Sequence, residues 1–255
     1  MIMITKKRLV IWIIIAALVV VNLIVFLTIT KTITIKGEKY NVTRTVLTLD
    51  DLGLTDADIE PLKQMFILKA LYLDSKSDST PNQISDLHAL EKLTRLEDLR
   101  VENNRIVDIE PLRNLSNLSI LCLGDNKISD ISALSGLTNL TFLGMYGNQI
   151  SDISALSGLT KLTSLDLHDH QISDISALSS LTKLTSLRLD GNQISDISAL
   201  SRLTKLTKLY LNGNQISDIS ALSGLTNLTE LYLNGNQISD ISALNDLTNV
   251  TELRL

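Results

Sequence analysis

The leucine and isoleucine positions of this chain recur every 22 residues over most of its length. From residue 99 onward the spacing is constant, with a leucine opening each unit at Leu99, Leu121, Leu143, Leu165, Leu187, Leu209, Leu231 and Leu253. Two earlier units start at Leu47 and Leu71, so nine complete units and the start of a tenth can be counted. A fixed period of this length predicts an elongated stack of similar layers.

Each unit begins with a pattern typical of a short strand. Leu187 and Leu189 lie two residues apart, so a strand would point both inward and leave Ser186, Arg188 and Asp190 facing outward. Because each layer can bury its aliphatic side chains only against the adjacent layers, we expect the strands to stack into a parallel sheet, at about 4.8 Å per layer.

The second half of each unit predicts a turn followed by short helical segments. An inward-facing asparagine could bond backbone groups that such a turn leaves unpaired. This position holds Asn104, Asn126, Asn148, His170, Asn192, Asn214 and Asn236. Apolar residues between 194 and 206 then recur at intervals of three, which predicts helical or 3-10 turns. Asp196 precedes these turns and can cap their free N–H groups.

The N-terminus carries a different apolar pattern. The basic residues Lys6, Lys7 and Arg8 are followed by a nearly continuous apolar run over residues 9–29. As a helix this run would reach about 31 Å, enough to cross a bilayer core. The sequence predicts an uncleaved signal anchor, with residues 1–8 cytoplasmic and the repeats outside, in a single-pass protein of the cell membrane. A cleaved signal peptide is the alternative.

Residues 30–46 predict a hairpin that caps the stack. Thr32-Ile-Thr-Ile alternates, Lys36-Gly-Glu-Lys can turn, and residues 40–49 are again extended. The repeats then occupy residues 47–255, ending at the start of a tenth strand without a polar cap. We therefore expect either a fragment of a longer protein or end-to-end self-association.

The repeated motif LxLxxNxIxxIxxLxxLxxLxx, with Asn-Gln-Ile-Ser-Asp-Ile-Ser-Ala-Leu at its centre, resembles the 22-residue leucine-rich repeats of bacterial internalin-like surface proteins. The lead-in over residues 54–62 is similar to their first unit. The resemblance implies an α/β solenoid, with a parallel sheet on its concave face and helical or 3-10 turns on its convex face. It also implies recognition of a protein or glycan partner by the concave face, with no catalytic residue and no cofactor.

The candidate binding residues are outward strand positions, which can vary without disturbing the core. They are Ile120, Phe142, Tyr146, Asp166, His168, Arg188, Lys208, Tyr210, Glu230 and Tyr232. We expect an apolar cluster of Ile120, Cys122, Phe142 and Tyr146, and a Tyr210–Tyr232 pair beside Lys208 and Glu230. Exposed aromatics among polar residues are typical of interfaces. The alternative is that they only stack and stiffen the sheet.

Charge and candidate chemistry narrow the functional classes. Residues 37–255 carry 18 basic and 28 acidic side chains, a net charge of −10 that argues against a nucleic-acid partner. Alternation turns His168 outward and His170 inward, so no shared metal site is expected. We expect instead a ladder of charges pairing Asp166 with Arg188 and His168 with Asp190. Cys122, the one cysteine, is predicted to be partly shielded, with an intermolecular disulfide left open.

An enzyme is not expected, because no nucleophile, base and orienting group converge on the predicted layers. Ser164 and Ser186 lie two columns from His168, beyond hydrogen-bond reach. The remaining functional alternative is a regulatory or scaffolding subunit similar to phosphatase-regulator repeats. The predicted membrane anchor favours surface recognition over that alternative.

Overall fold

The computed structural model describes residues 14–21, 31–76 and 80–255. A two-stranded antiparallel sheet precedes a ten-stranded parallel sheet whose strands follow chain order. The strands are β1 Thr32–Ile35, β2 Glu38–Asn41, β3 Val46–Thr48, β4 Ala70–Tyr72, β5 Asp98–Arg100, β6 Ile120–Cys122, β7 Phe142–Gly144, β8 Ser164–Asp166, β9 Ser186–Arg188, β10 Lys208–Tyr210, β11 Glu230–Tyr232 and β12 Glu252–Arg254.

Helical structure in the repeats is short and mostly 3-10. Helix α1 covers residues 14–21 and α2 covers Asp56–Ile59. The 3-10 segments are Glu60–Gln64, His88–Leu90, Glu110–Leu112, Ser132–Gly136, Ser154–Leu156, Ser176–Ser180, Ser198–Arg202, Ser220–Leu222 and Ser242–Leu244. Proline occupies the first turn in two of them, at Pro61 and Pro111, where its missing N–H costs nothing. The predicted leucine-rich-repeat solenoid is therefore confirmed.

The layers stack in register, one 22-residue unit above the next. Leu187 of β9, Leu209 of β10 and Leu231 of β11 are direct neighbours and fully buried. Burying a leucine side chain contributes about 1.5–3 kcal/mol. The core is thus a continuous aliphatic column, and each layer is stabilised by the ones above and below.

The asparagine ladder joins each turn to the preceding layer, as the sequence predicts. Asn214 Oδ1 accepts the N–H of Ile194 at 3.0 Å. Its amide nitrogen donates to the carbonyl of Leu189 at 2.9 Å and to that of Leu211 at 3.1 Å. The asparagine therefore satisfies buried backbone groups of two layers, which explains why asparagine recurs at this position in most units.

Aspartates cap the 3-10 segments in the same periodic way. Asp196 Oδ1 accepts the N–H of Ser198 at 2.8 Å, as predicted. The same bond is made by Asp86, Asp108, Asp130, Asp152, Asp174, Asp218 and Asp240 to the residue two positions on. The accepted N–H lowers the pKa of the Asp196 carboxyl.

A hairpin covers the first repeat. Its turn is Lys36-Gly37, with φ of 50° and 84°, and Ile33 and Ile35 on β1 are buried in the core. Lys36 Nζ lies 3.0 Å from Asp58 Oδ2, which ties the turn to the first unit. The expected extended stretch over residues 40–49 is wrong as a single strand, because a turn at residues 42–45 separates β2 from β3.

The predicted membrane segment lies largely outside the described residues. These exclude residues 1–8 and, within the predicted span, residues 9–13 and 22–29. Helix α1 exposes its apolar side chains, among them Leu18 and Val19. Within the described ranges, no helix is both long enough and apolar enough to cross a membrane.

Candidate functional site: the outward face of the repeat sheet

The ten-stranded sheet has one face packed on the core and one open face, which we call the strand face. It consists of the first and third residue of each strand from β3 to β12, and the residue two positions after the strand. All ten residues predicted for binding lie on it. Phe142, Arg188 and Lys208 are exposed, and the others are intermediate in burial: Ile120, Tyr146, Asp166, His168, Tyr210, Glu230 and Tyr232.

In the apolar part of the strand face, an aromatic ring packs against a glycine. Phe142 pairs in register with Ile120, and its ring lies against Gly144 of its own strand. Phe142 keeps 37% of its surface exposed, whereas Cys122 is buried. Burial, reinforced by the charge of Glu102, raises the pKa of the Cys122 thiol to about 12. The expectation that Cys122 is only partly shielded is therefore wrong, because neighbouring layers close over it.

Tyr146 belongs to a second group of residues on the strand face, and its ring packs over a different glycine. Its ring lies over Gly124 of the preceding layer and stacks on His168 of the next, with centroids 4.9 Å apart and planes 5° from parallel. Burial and then the Glu102 charge raise the pKa of Tyr146. The ring is packed between the preceding layer and the following one.

The expected charge ladder is half correct. Arg188 Nη1 lies 3.5 Å from Asp166 Oδ2, as predicted. His168 does not pair with Asp190. Its Nδ1 lies 2.6 Å from Asp166 Oδ1 on the same side of the chain. Asp190 instead accepts bonds from the backbone and side-chain amides of Asn212 at 3.1 and 2.6 Å. Stacking on Tyr146 fixes the His168 ring where Asp166 is the nearer carboxylate.

A row of arginine and tyrosine runs along the last layers, in the order Arg188, Tyr210, Tyr232 and Arg254. Tyr210 and Tyr232 meet edge to face at 4.9 Å. The guanidinium of Arg188 lies 5.5 Å from the Tyr210 ring centre, and that of Arg254 lies 4.4 Å from the Tyr232 ring centre. The tyrosine hydroxyls donate to Glu230 and Glu252, respectively. Both rings are therefore held by polar bonds at their tips and by cations over their faces.

Glu230 is shared by two neighbours on the strand face. Lys208 Nζ lies 2.6 Å from its Oε1, and the Tyr210 hydroxyl bonds its other oxygen. These two hydrogen bonds, that of Lys208 first, lower the pKa of the Glu230 carboxyl. Burial and then the bond to Glu230 raise the pKa of Tyr210. The predicted Tyr210–Tyr232 cluster with Lys208 and Glu230 is therefore present in the structure.

A further aromatic group was not predicted. Tyr72 lies under Arg100 at 5.2 Å, and its hydroxyl donates to Asp98 at 3.3 Å. Arg100 also bonds both carboxylate oxygens of Asp98 at 3.1 Å. The signal was available, since Tyr72 and Arg100 occupy the same column as Tyr210 and Tyr232. Irregular spacing in the second unit hides it from a search for a constant period.

The histidines do not assemble a reactive site. His170 is buried in the asparagine ladder while His168 faces outward, as predicted. Among the described residues, no group of three or more His, Cys, Asp or Glu side chains is placed to hold a metal ion. Several grooves lie away from the strand face, between successive 3-10 turns, and repeat the same lining of Ser, Asp, Ile and Ala. Their periodicity marks them as a product of layer stacking.

Comparisons with known proteins agree with this architecture. The sequence profile described as "Leucine Rich repeats (2 copies)" matches residues 95–136, 116–158, 138–180 and 182–224. A profile described as "Leucine rich repeat" matches residues 205–255. No curated protein sequence matches the chain.

Solved structures of two internalins from Listeria monocytogenes are similar to the chain. InlF is 36% identical, with a TM-score of 0.66, and the match covers 78% of this chain and 70% of InlF. Internalin C2 is 34% identical, with a TM-score of 0.67, and the match covers 76% of this chain and 82% of its own. A Leptospira interrogans leucine-rich-repeat protein, LIC12759, shares the fold at 23% identity and a TM-score of 0.68, over 84% of this chain and 58% of its own.

The chain belongs to the leucine-rich-repeat family, the class of protein that its stacked strands, asparagine ladder and 3-10 turns define. Within that family it is an internalin-like protein, as its motif predicts.

Proposed function

We propose that this protein recognises a macromolecular partner, a protein in the first instance, through its strand face. One observation carries the proposal: the strand face is an open sheet surface on which arginine and tyrosine side chains are already held in fixed positions. A partner would not have to order Arg188, Tyr210 and Tyr232, so less conformational entropy opposes binding. Tyrosine and arginine are also the residues in which interface binding energy concentrates.

Capture of surface ligands tests this proposal. Surface material from candidate partner cells is labelled. Its retention by the full-length protein is compared with its retention by a Phe142→Ala/Tyr210→Ala/Tyr232→Ala variant. We expect the variant to lose most of the captured material, and equal capture by both would overturn the proposal. Protease pretreatment of the labelled material should abolish capture, whereas loss after periodate treatment alone would indicate a glycan.

We also propose that the apolar segment 9–29 anchors the chain and that the repeats lie outside the membrane. The support is the basic cluster at residues 6–8 followed by the long apolar run. Protease added to intact cells should then remove the repeats. Protection of the repeats would instead favour the regulatory or scaffolding alternative.

A further inference from the structure

The edge of the sheet at which the turns lead into the strands has its own charge pattern. We call it the strand-entry edge, and it comprises residues 66–69, 94–97, 116–119, 138–141, 160–163, 182–185, 204–207, 226–229 and 248–251. Its charged residues are the basic Lys69, Arg95, Lys161, Lys183 and Lys205 and the acidic Glu97. Residues 37–255 together carry a net charge of −10, so this edge is positive on a chain that is otherwise acidic.

Three basic residues of this edge form a row in consecutive layers. Hydrogen bonds of 2.8 Å join the layers here, from the N–H of Thr185 to Thr163 O and from the N–H of Thr207 to Thr185 O. Each of these threonines follows a lysine by two residues, so the lysines succeed one another at a step of about 4.8 Å. We call them the lysine row: Lys161, Lys183 and Lys205, all exposed. Like charges on neighbouring strands lower stability, so packing does not account for the row.

The lysine row has no acidic partner. Across the described ranges, no ion pair involves its members, and Lys161 donates only to the amide oxygen of Asn139, at 2.7 Å. The acidic residue of this edge, Glu97, is already paired with Lys69 at 2.7 Å. The basic residues of the strand face, by contrast, each pair with a carboxylate. The row therefore presents uncompensated positive charge to its surroundings.

An exposed aromatic side chain lies on the same edge, near the N-terminal end of the stack. Phe66 keeps 57% of its surface exposed, and Ile67 beside it is intermediate in burial. The N–H groups of Lys69 and Ala70 fix this segment to the first repeat, since both donate to Thr45 O, at 2.7 and 3.0 Å. Apolar side chains on the same surface as basic ones form the combination that binds membrane interfaces.

The chain also enters the fold at this edge. The predicted anchor ends at residue 29, and the carbonyl of Lys31 accepts the N–H of Val42 at 3.1 Å. Val42 is three residues before Thr45, a span of at most about 11 Å. Because Thr45 O is bonded at the strand-entry edge, an anchor that precedes Lys31 would hold this edge close to the bilayer.

We infer that the strand-entry edge lies on an anionic lipid surface, with the lysine row against the headgroups and Phe66 at the acyl boundary. The inference rests on the proposed anchor. A soluble polyanion would match the lysine row, but it would leave Phe66 in water and would not explain why the chain enters at the same edge. On a bilayer, the stacking axis would lie along the surface and the strand face would open sideways to a partner.

Lysine acetylation of the full-length protein in nanodiscs tests the inference. One set of nanodiscs contains phosphatidylcholine alone and the other contains phosphatidylcholine with phosphatidylglycerol, and mass spectrometry quantifies each modified lysine. Lys183 and Lys205 should react at least about fivefold more slowly on the anionic nanodiscs, because each base beside an anionic surface favours the docked state about fivefold. Lys127, exposed in the turn after β6, should change less than about twofold. About 1 M salt should remove the difference.

A charge variant separates docking of this edge from general adsorption. Lys161→Gln/Lys205→Gln keeps Lys183 as the reporter, and docking should weaken about 25-fold, so Lys183 should regain most of its reactivity. The matched control, Lys63→Gln/Lys127→Gln, has the same net charge but alters the turn side of the layers, and Lys183 should stay protected. Circular dichroism of each variant checks that the repeats remain folded.

A second variant distinguishes a bilayer from a soluble polymer. Phe66→Ser should also weaken the protection of Lys183, because it removes the side chain that would reach the acyl boundary. Protection by added polyglutamate in place of anionic lipid, and without an effect of Phe66→Ser, would overturn the inference in favour of a soluble polyanion.

The remaining outcomes separate the inference from the proposed anchor. If the chain does not stay with neutral nanodiscs, the anchor is wrong and the inference falls with it. If the chain stays but Lys183 reacts equally on both kinds of nanodisc, or Lys127 is protected to the same extent, the anchor stands and the inference alone is wrong.

Discussion

At the scale of single residues, the asparagine ladder shows how many backbone hydrogen bonds one side chain can make. An asparagine accepts one backbone N–H from the preceding layer and donates to carbonyls of two layers. His170 cannot repeat this. Its ring nitrogens approach the carbonyls of Asn148 and Met145 without making a hydrogen bond of good geometry. Ile128 donates to Asn148 at 2.9 Å and Ile172 to Asn192 at 3.0 Å, whereas Ile150 has no such bond to His170.

Replacing this histidine should therefore stabilise the protein. His170→Asn restores bonds to buried backbone groups, each of which costs about 1–3 kcal/mol when left unmade, so we expect the free energy of unfolding to rise by about that amount. Urea denaturation measures the change. The reverse exchange one layer on, Asn192→His, should lower the free energy by a similar amount. A His170→Asn variant no more stable than the unaltered protein would contradict the ladder argument.

The same histidine predicts a dependence on pH. Burial lowers the pKa of His170, so the unfolded chain binds a proton more readily than the folded one. Stability is then fully present above the ordinary pKa of about 6.5 and falls as the pH drops through it. His170→Asn should flatten this part of the pH profile of unfolding, which a denaturation series measures.

Cys122 is expected to be unreactive in the folded protein. Its burial and raised pKa keep the thiol protonated at neutral pH, and the thiolate is the reactive form. Iodoacetamide should modify Cys122 slowly in buffer and rapidly in denaturant, as followed by mass spectrometry. Rapid modification of the folded protein, or a covalent dimer under oxidising conditions, would instead support an intermolecular disulfide, the alternative that the sequence leaves open.

At the scale of the repeated element, the turn after each strand from β5 to β11 contains a residue with a left-handed backbone. Gly147 and Gly191 adopt φ of 63° and 64°, and the corresponding Asp125 and Asp169 adopt 50° and 59°. The two residue types alternate from residue 125 to residue 191, after which Gly213 and Gly235 hold the position in the next two layers. The carboxylate of each aspartate occupies the space where a Cβ of the next glycine would lie.

Alanine at such a glycine should be costly. Gly191→Ala places a side chain in the left-handed region, at about 1–2 kcal/mol, and in collision with the Asp169 carboxylate. Gly224→Ala is the control, because nothing lies within 4 Å of its Cβ position. Thermal unfolding should show a lower midpoint for Gly191→Ala and little or no loss for Gly224→Ala. Equal midpoints would mean that the aspartate and the turn adapt freely.

At the scale of the whole molecule, periodic caps make the stack sensitive to acid. Backbone N–H donors lower the pKa of the capping carboxyls in unit after unit, among them Asp152, Asp196 and Asp218. Their contribution is fully present above the unfolded pKa of about 3.9 and is lost as the pH falls through the lower folded values. Glu102 and Asp125, whose pKa values are raised by burial, oppose the trend.

Urea unfolding between about pH 6 and pH 3 should therefore show a steep loss of stability in acid. Asp196→Asn keeps a capping oxygen but removes the titration, so its acid limb should be shallower. Asp196→Ala should share the shallower limb and be less stable at neutral pH as well. An unchanged acid limb in both variants would show that the caps do not govern acid unfolding.

The layers, the ladder and the caps could be predicted from sequence because each depends on one residue type at one spacing. Leu187, Asn192 and Asp196 each have the role that a single unit already suggests. Side-chain partners on the strand face could not be predicted in the same way. Whether His168 bonds Asp166 or Asp190 depends on Tyr146, and the position of the Tyr146 ring depends on the space above Gly124.

The register of the sheet affects how the number of repeat units can change during evolution. From β6 to β11, each strand pairs with the residues 22 positions before and after it, and the paired strands are those of neighbouring layers. Duplicating or deleting one whole unit in the gene leaves every remaining junction chemically the same. Units of another length also occur at the start of the stack, where Leu47, Leu71 and Leu99 lie 24 and 28 residues apart and are still paired in register and buried. Gain or loss of whole units can therefore lengthen or shorten the strand face, whereas a single substitution changes the strand face in one layer only.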